Sequence, residues 1–190
     1  MKTEPDITIR RLVPELLGDY LALFDGPAFA DNPGWAECYC LFPYADGDDE
    51  AFEARPAAAN RADISESIRA GRAEGYLAYA GGRVVGWLNA GPRGRYPQLA
   101  QLAGDNARTG ATPCFTIDPR WRRRGVAKRL LAAAIEGFRE DGMRQLQAGP
   151  ETEPRDDAHR YRGTIELYES AGYEQVARLP GGKTLMEKQL

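Results

Sequence analysis

Apolar residues in this chain change their spacing from every second position to every third or fourth and back again, and those changes mark out its elements. Ile7 to Leu12 alternates apolar Ile7 and Ile9 with polar Thr8 and Arg10, which predicts a first strand. After Pro14, residues Leu16, Leu17, Tyr20, Leu21 and Phe24 return at helical spacing and stop near Asp25-Gly26. From Pro27 to about Pro56 the pattern loosens into an aromatic and acidic loop. Asn60 is the expected N-cap of a helix that carries Ile64 and Ile68 on one face and ends at Gly71. Tyr76–Ala80, the turn Gly81-Gly82 and Arg83–Ala90 read as an antiparallel hairpin, with Gly86 marking a bulge or a close approach. Residues 94–110 are polar and irregular.

Cys114–Ile117 is a short strand stopped by Asp118-Pro119. From Val126 a one-sided stripe of Ala127, Leu130, Leu131, Ala134, Ile135 and Phe138 predicts an amphipathic helix closed by Asp141-Gly142. A strand at Met143–Ala148, a polar linker over 151–157, a short helix from Thr164 to Gly172 and strands at 174–178 and 183–188 complete the chain.

Composition narrows the class. With 190 residues, 43% hydrophobic and 28% charged, the chain reads as one globular domain over 1–190 with enough apolar material for a core. MKTEPDITIRR lacks the apolar segment of a signal peptide, and no run approaches the roughly 20 apolar residues of a membrane helix. A cytoplasmic protein with no membrane partner is the expectation. Three cysteines, Cys38, Cys40 and Cys114, fit a reducing compartment better than a disulfide framework. One C-x-C and a single histidine, His159, make a poor ligand set, so no metal is expected and buried thiols are expected to fill space.

The candidate chemistry lies in the turn between Ile117 and Val126. A helix start exposes unpaired backbone N–H groups at the positive end of the macrodipole and so suits an anion. Arg122-Arg123-Arg124 add positive side chains, and small Gly125 and Ala127 let a phosphate approach the backbone. The rival readings are a solvated arginine face and nucleic-acid binding through Trp121 among its arginines. A formal charge of −3 and one short basic run speak against a nucleic-acid partner.

Arg122, Gly125 and Ala127 occupy the fixed positions of a pattern Arg/Gln-x-x-Gly-x-Gly/Ala between strand and helix, and here the chain resembles the GNAT superfamily of N-acetyltransferases. Leu167, Tyr168 and Gly172, with Tyr173 for the usual Phe, are similar to that family's Leu-Tyr-x-x-x-Gly-Phe helix. The resemblance implies an α/β fold with a mixed, mainly antiparallel sheet splayed at its middle strand and flanked by helices. It implies acetyl-CoA as co-substrate, with Arg122, Arg123, Arg124, Gly125, Val126, Ala127 and Lys128 as the diphosphate cradle and Thr116 and Ile117 beside the pantetheine arm. Tyr168 is then the acid that protonates the departing thiolate, and N–H groups near Ile117 steady the oxyanion. Two departures stand out: Arg123 replaces a glycine common after the first Arg, and Tyr161 and Thr164 replace an Asn and an Ala upstream of the Leu-Tyr pair.

The activity so implied is acetyl transfer to a primary amine of a small acceptor by direct attack. A catalytically silent acyl-CoA binding or sensing domain and a nucleotide-binding protein are the competing classes; the absence of Gly-x-x-x-x-Gly-Lys-Ser/Thr speaks against the latter. Trp35 and Trp87 are candidate acceptor walls, Trp87 having core packing as its alternative. Acidic residues 46–50 have two readings, carboxylates that draw in a cationic amine or the charged tip of a surface loop. His159, Glu151 and residues 46–50 all remain open as the general base, and Cys114 as a covalent nucleophile has no histidine near it in sequence. A homodimer follows from family analogy alone.

Overall fold

In a computed structural model the described residues are 6–45, 49–100, 102 and 104–190. Seven strands form one sheet: β1 (Ile7–Arg11), β2 (Gly75–Ala80), β3 (Arg83–Pro92), β4 (Thr109–Ile117), β5 (Gln145–Ala148), β6 (Glu174–Leu179) and β7 (Lys183–Gln189). Their spatial order is β1-β2-β3-β4-β5-β7-β6, and every neighbouring pair is antiparallel except β4 with β5. Helices α1 (Leu17–Phe24), α2 (Asp49–Glu53), α3 (Ala57–Arg69), α4 (Pro97–Ala100), α5 (Val126–Glu140) and α6 (Ile165–Ser170) flank it, with short 3-10 turns between. The fold class expected from the sequence is the one observed.

Each face of the sheet buries its own apolar cluster. Leu130, Leu131, Ala134, Ile135 and Phe138 of α5 lie against Ala78, Leu88, Phe115, Leu146 and Met186 on one face. On the other, Tyr20, Leu23 and Phe24 of α1 and Ile64 and Ile68 of α3 cover Leu77, Tyr79 and Trp87. Burying one such large side chain stabilises by about 2 kcal/mol, so the α5 stripe alone commits that helix to the sheet.

Two local readings need adjustment, and a third holds in both its forms. Asn60 is not an N-cap: α3 begins at Ala57 after Pro56, and Asn60 sits inside it, 1% exposed. Its amide accepts from Arg55 Nε at 2.7 Å and donates to the Glu37 carbonyl at 2.9 Å, so it ties the loosely patterned loop to the helix. A burial demand outweighed the capping preference. The strand expected at Cys114 starts at Thr109 instead, since Thr109–Pro113 is too small and too interrupted to show strand periodicity. Gly86 lies beside a register shift in the hairpin and would also bring a Cβ to 3.0 Å from Val126 Cγ1, so both readings of it apply.

The feature that positions the site is a short pairing. β4 meets β5 only through Thr109, Gly110 and Ala111 opposite Gln145, Leu146 and Gln147. Gly149-Pro150 then follow the end of β5, and Pro113 has no N–H to offer a ladder. The two strands therefore part, and Thr112–Ile117 keep β3 as a neighbour while their other edge is free of β5.

Candidate functional site

A cleft of about 320 Å³ opens beside that free edge of β4. Phe115, Thr116 and Ile117 form its floor, the start of α5 one end, and Tyr161, Gly163, Thr164 and Leu167 a wall. Phe29, Asp31, Asn32 and Trp35 from the loop after α1 close the other side.

The turn into α5 is wound by two left-handed residues. Arg123 has φ 59 and Gly125 φ 76, and the family's common glycine at the position of Arg123 is explained by that angle. Holding a non-glycine there costs about 1 kcal/mol. No side chain caps α5 at Gly125, and a Cβ built on Gly125 would meet nothing within 4 Å, so the first amides of the helix open on the cleft. An uncapped helix start with its dipole facing a cavity is a physical match for a diphosphate.

The arginines of the turn are already engaged. Arg122 forms a bidentate pair with Asp31, one contact being 3.1 Å, and Arg123 holds Asp157 at 2.9 and 3.0 Å. The guanidinium of Arg124 lies over the Trp121 ring at 5.3 Å, and Arg124 is not among the residues lining the cleft. Asp118, 2% exposed, fixes the turn by accepting from the Arg120 amide at 3.0 Å and its guanidinium at 2.8 Å. Burial alone would raise the Asp118 pKa, but these Arg120 contacts win and lower it.

Thr116, Ile117, Arg122, Arg123, Gly125, Val126, Ala127, Lys128 and Trp35 are thus brought to one cleft. Trp87 lies elsewhere: its indole is 1% exposed and edge-on to Tyr20 at 5.0 Å, because its position on β3 faces the α1 side of the sheet. Tyr168 is fully buried one layer behind the wall, its ring edge-on to Phe115. Its hydroxyl donates to the Arg162 carbonyl at 3.0 Å and lies 3.1 Å from Thr112 Oγ1, at the first β4 residue beyond the β5 pairing. Burial pushes its pKa well up, so the phenol is protonated at any physiological pH.

Asp31, Asp157, Trp121 and Tyr161 line the cleft without having been singled out as its residues. Asp31 and Asp157 carry no local motif, and only the fold brings them to the arginines. Of the base candidates, His159 Nδ1 pairs with Asp156 at 2.8 Å and the ring is edge-on to Trp35. Glu151 makes an isolated backbone bridge to Lys183, and positions 46–48 of the acidic run lie outside the described residues. Among the described residues no group of three His, Cys, Asp or Glu is placed to hold a metal ion, and no helix is long and apolar enough to cross a membrane.

A parted pair of parallel strands with an uncapped helix start at the opening is the arrangement that this fold sets around the cleft. The acetyltransferase (GNAT) family model matches residues 35–173, well over half the chain, and the protein belongs to that family. Solved structures agree on the fold. An N-acetyltransferase from Staphylococcus aureus Mu50 is similar with a TM-score of 0.60 at 17% identity, covering 97% of this chain and 98% of that one. The protein yncA from Salmonella typhimurium, solved with its cofactor acetyl-CoA, gives a TM-score of 0.55 at 18% identity, covering 97% of this chain and 94% of that one. The paia N-acetyltransferase from Thermoplasma acidophilum, in complex with coenzyme A, gives 0.59 at 14%, covering 97% and 99%. Among curated proteins none matches the chain.

Proposed function

We propose that this protein is an N-acetyltransferase that moves an acetyl group from acetyl-CoA to the primary amine of a small acceptor by direct attack. The observation that carries this reading is the uncapped start of α5 opening on a cleft whose floor is the free edge of β4. Acetyl-CoA supplies an activated acyl thioester. The amides from Gly125 to Lys128 hold its diphosphate, with Arg122, Arg123 and Arg124 adding positive charge around it. Thr116 and Ile117 offer strand-edge groups to the pantetheine arm, and amides near Ile117 steady the developing oxyanion. Tyr168 is the proton source for the leaving sulfur, since burial keeps its phenol protonated at the point where β4 and β5 part. Trp35 and Tyr161, edge to face at 5.6 Å, form the aromatic side of the acceptor pocket. Free thiols at all three cysteines fit a cytoplasmic enzyme.

One observation favours a second reading, an acyl-CoA binding or sensing domain without turnover: the Tyr168 hydroxyl already donates to the Arg162 carbonyl. Turnover across a panel of small amines separates the two. The expected result is acetyl transfer to at least one amine, reduced on the order of tenfold to a hundredfold in kcat by Tyr168→Phe with acetyl-CoA affinity kept. Binding of acetyl-CoA without transfer to any amine decides for the sensing domain, and full activity of Tyr168→Phe removes the phenol from the chemistry.

A further inference from the structure

We propose that Cys114 is a peroxide-reactive thiolate with Cys40 as its resolving thiol, an oxidation site on β4 next to the cleft floor. This goes beyond the acetyl-transfer reading, and its readout does not depend on transfer. Cys38, Cys40 and Cys114 are the only cysteines of the chain, and the fold brings the distant 38–40 segment to β4. Asn89 stands opposite Cys114 in the β3–β4 ladder, and its amide nitrogen lies 3.5 Å from Cys40 Sγ and from the Cys40 carbonyl. Tyr39 at φ 47 and Cys40 at φ 50 turn the segment inward so that Cys40 reaches that position. All three thiols are free.

The two partners differ in the way such a pair requires. Cys40 is 1% exposed, whereas Cys114 is partly exposed and directly precedes Phe115 and Thr116 of the cleft floor. A cation is tethered nearby. The backbone of Arg162 is held to β4 through Tyr168, whose hydroxyl touches both the Arg162 carbonyl and Thr112, two residues before Cys114 on the same face. Arg162 makes no ion pair among the described residues, its guanidinium lies over the Tyr161 ring at 5.1 Å, and its Nε is buried without a hydrogen-bond partner. Groups facing Cys114 are the thiols of Cys38 and Cys40, the phenols of Tyr20, Tyr161 and Tyr168, the Thr116 hydroxyl and Arg162. None of these is a carboxylate, and Glu151 is the carboxylate that faces the Tyr161 phenol under the Arg162 guanidinium.

Titration points the same way. The Cys40 thiol lowers the Cys114 pKa most, burial opposes it, and the Arg162 charge lowers it further. Burial pushes Cys40 up and raises Cys38 to about 11, so both stay protonated. A low-pKa accessible thiolate beside a neutral second thiol is the arrangement in which oxidation is selective. Chemically, the Cys114 thiolate attacks one oxygen of hydrogen peroxide and the O–O bond breaks. Sulfur loses two electrons to the peroxide, leaving Cys114 sulfenic acid and hydroxide. That hydroxide takes the proton of the Cys40 thiol as water, the Cys40 thiolate attacks the Cys114 sulfur, an S–S bond forms, and the sulfenic hydroxyl leaves as hydroxide.

The test uses the folded full-length chain. Limited iodoacetamide is expected to label Cys114 ahead of Cys38 and Cys40. One equivalent of hydrogen peroxide should remove two thiols and yield a Cys40–Cys114 disulfide peptide that dithiothreitol reverses. Cys40→Ser should halt Cys114 at a sulfenic acid trapped by dimedone, and Arg162→Gln should slow its alkylation at neutral pH on the order of tenfold, with Arg162→Lys restoring it. Circular dichroism confirms that each variant is folded. The proposal is overturned if Cys38 is labelled first, if all three thiols stay inert until the chain is unfolded, or if wild-type Cys114 passes to sulfinic acid with no link to Cys40.

Discussion

A left-handed backbone at Arg123 and again at Gly125 decides the shape of the turn into α5, and the two residues meet that demand differently. Gly125 adopts φ 76 freely and leaves the cleft clear, while Arg123 accepts strain and extends its guanidinium to Asp157. Gly125→Glu is therefore expected to abolish acetyl-CoA binding, because bulk and negative charge would stand where the amides open; calorimetric titration measures it, and unchanged affinity would remove the cradle. Asp118 gives a prediction in pH. Its folded pKa is lowered below the unfolded value of about 3.9, so its contribution is fully present above that value and is lost as pH falls through the folded one. Asp118→Asn should be less stable than wild type at neutral pH, with the gap closing in acid below about pH 4. A constant gap from neutral to strongly acid pH in paired urea titrations would mean that the Arg120 contacts do not hold the carboxylate.

Among the elements, α5 was legible in full and α3 only in part. The α5 stripe repeats over four turns and ends at a glycine, so its period and boundary agree with its packing. Asn60 resembles an N-cap by residue type, yet what places it is a pair of part-buried hydrogen bonds, one to Arg55 just before the helix and one to Glu37 in the preceding loop. Asn60→Ala should cost about 2 kcal/mol, since the Glu37 carbonyl and Arg55 lose a buried partner, and chemical denaturation reads it. A change under about 0.5 kcal/mol, the size of a surface substitution, would show that the loop is held by other contacts. The N-terminal half of β4 was hidden for the opposite reason: Gly110, Ala111 and Pro113 carry almost no periodic signal, and neighbouring strands impose their extended form.

For the whole molecule, the cleft draws its walls from the loop after α1, from β4, from the start of α5 and from the segment before α6. A ligand that touches all of these stabilises the fold by mass action. At a hundredfold excess over its Kd, acetyl-CoA should add about 2.7 kcal/mol, seen as a rise in Tm that ATP at the same concentration does not match. Equal shifts from both would favour a general phosphate site. By itself the sequence determined the periodic parts: the strands apart from the N-terminal half of β4, the α5 stripe, the glycine before α5 and the Leu-Tyr helix near the end, because each is encoded by neighbours a few residues apart. Only the tertiary structure decided that Trp87 faces the α1 side, that Tyr168 stands behind the cleft wall, that Asp31 and Asp157 meet the arginines, and that Cys40 and Cys114 meet at Asn89. Those relations join positions as many as 91 residues apart, and such distances are set by how the sheet twists and parts, which no local pattern records.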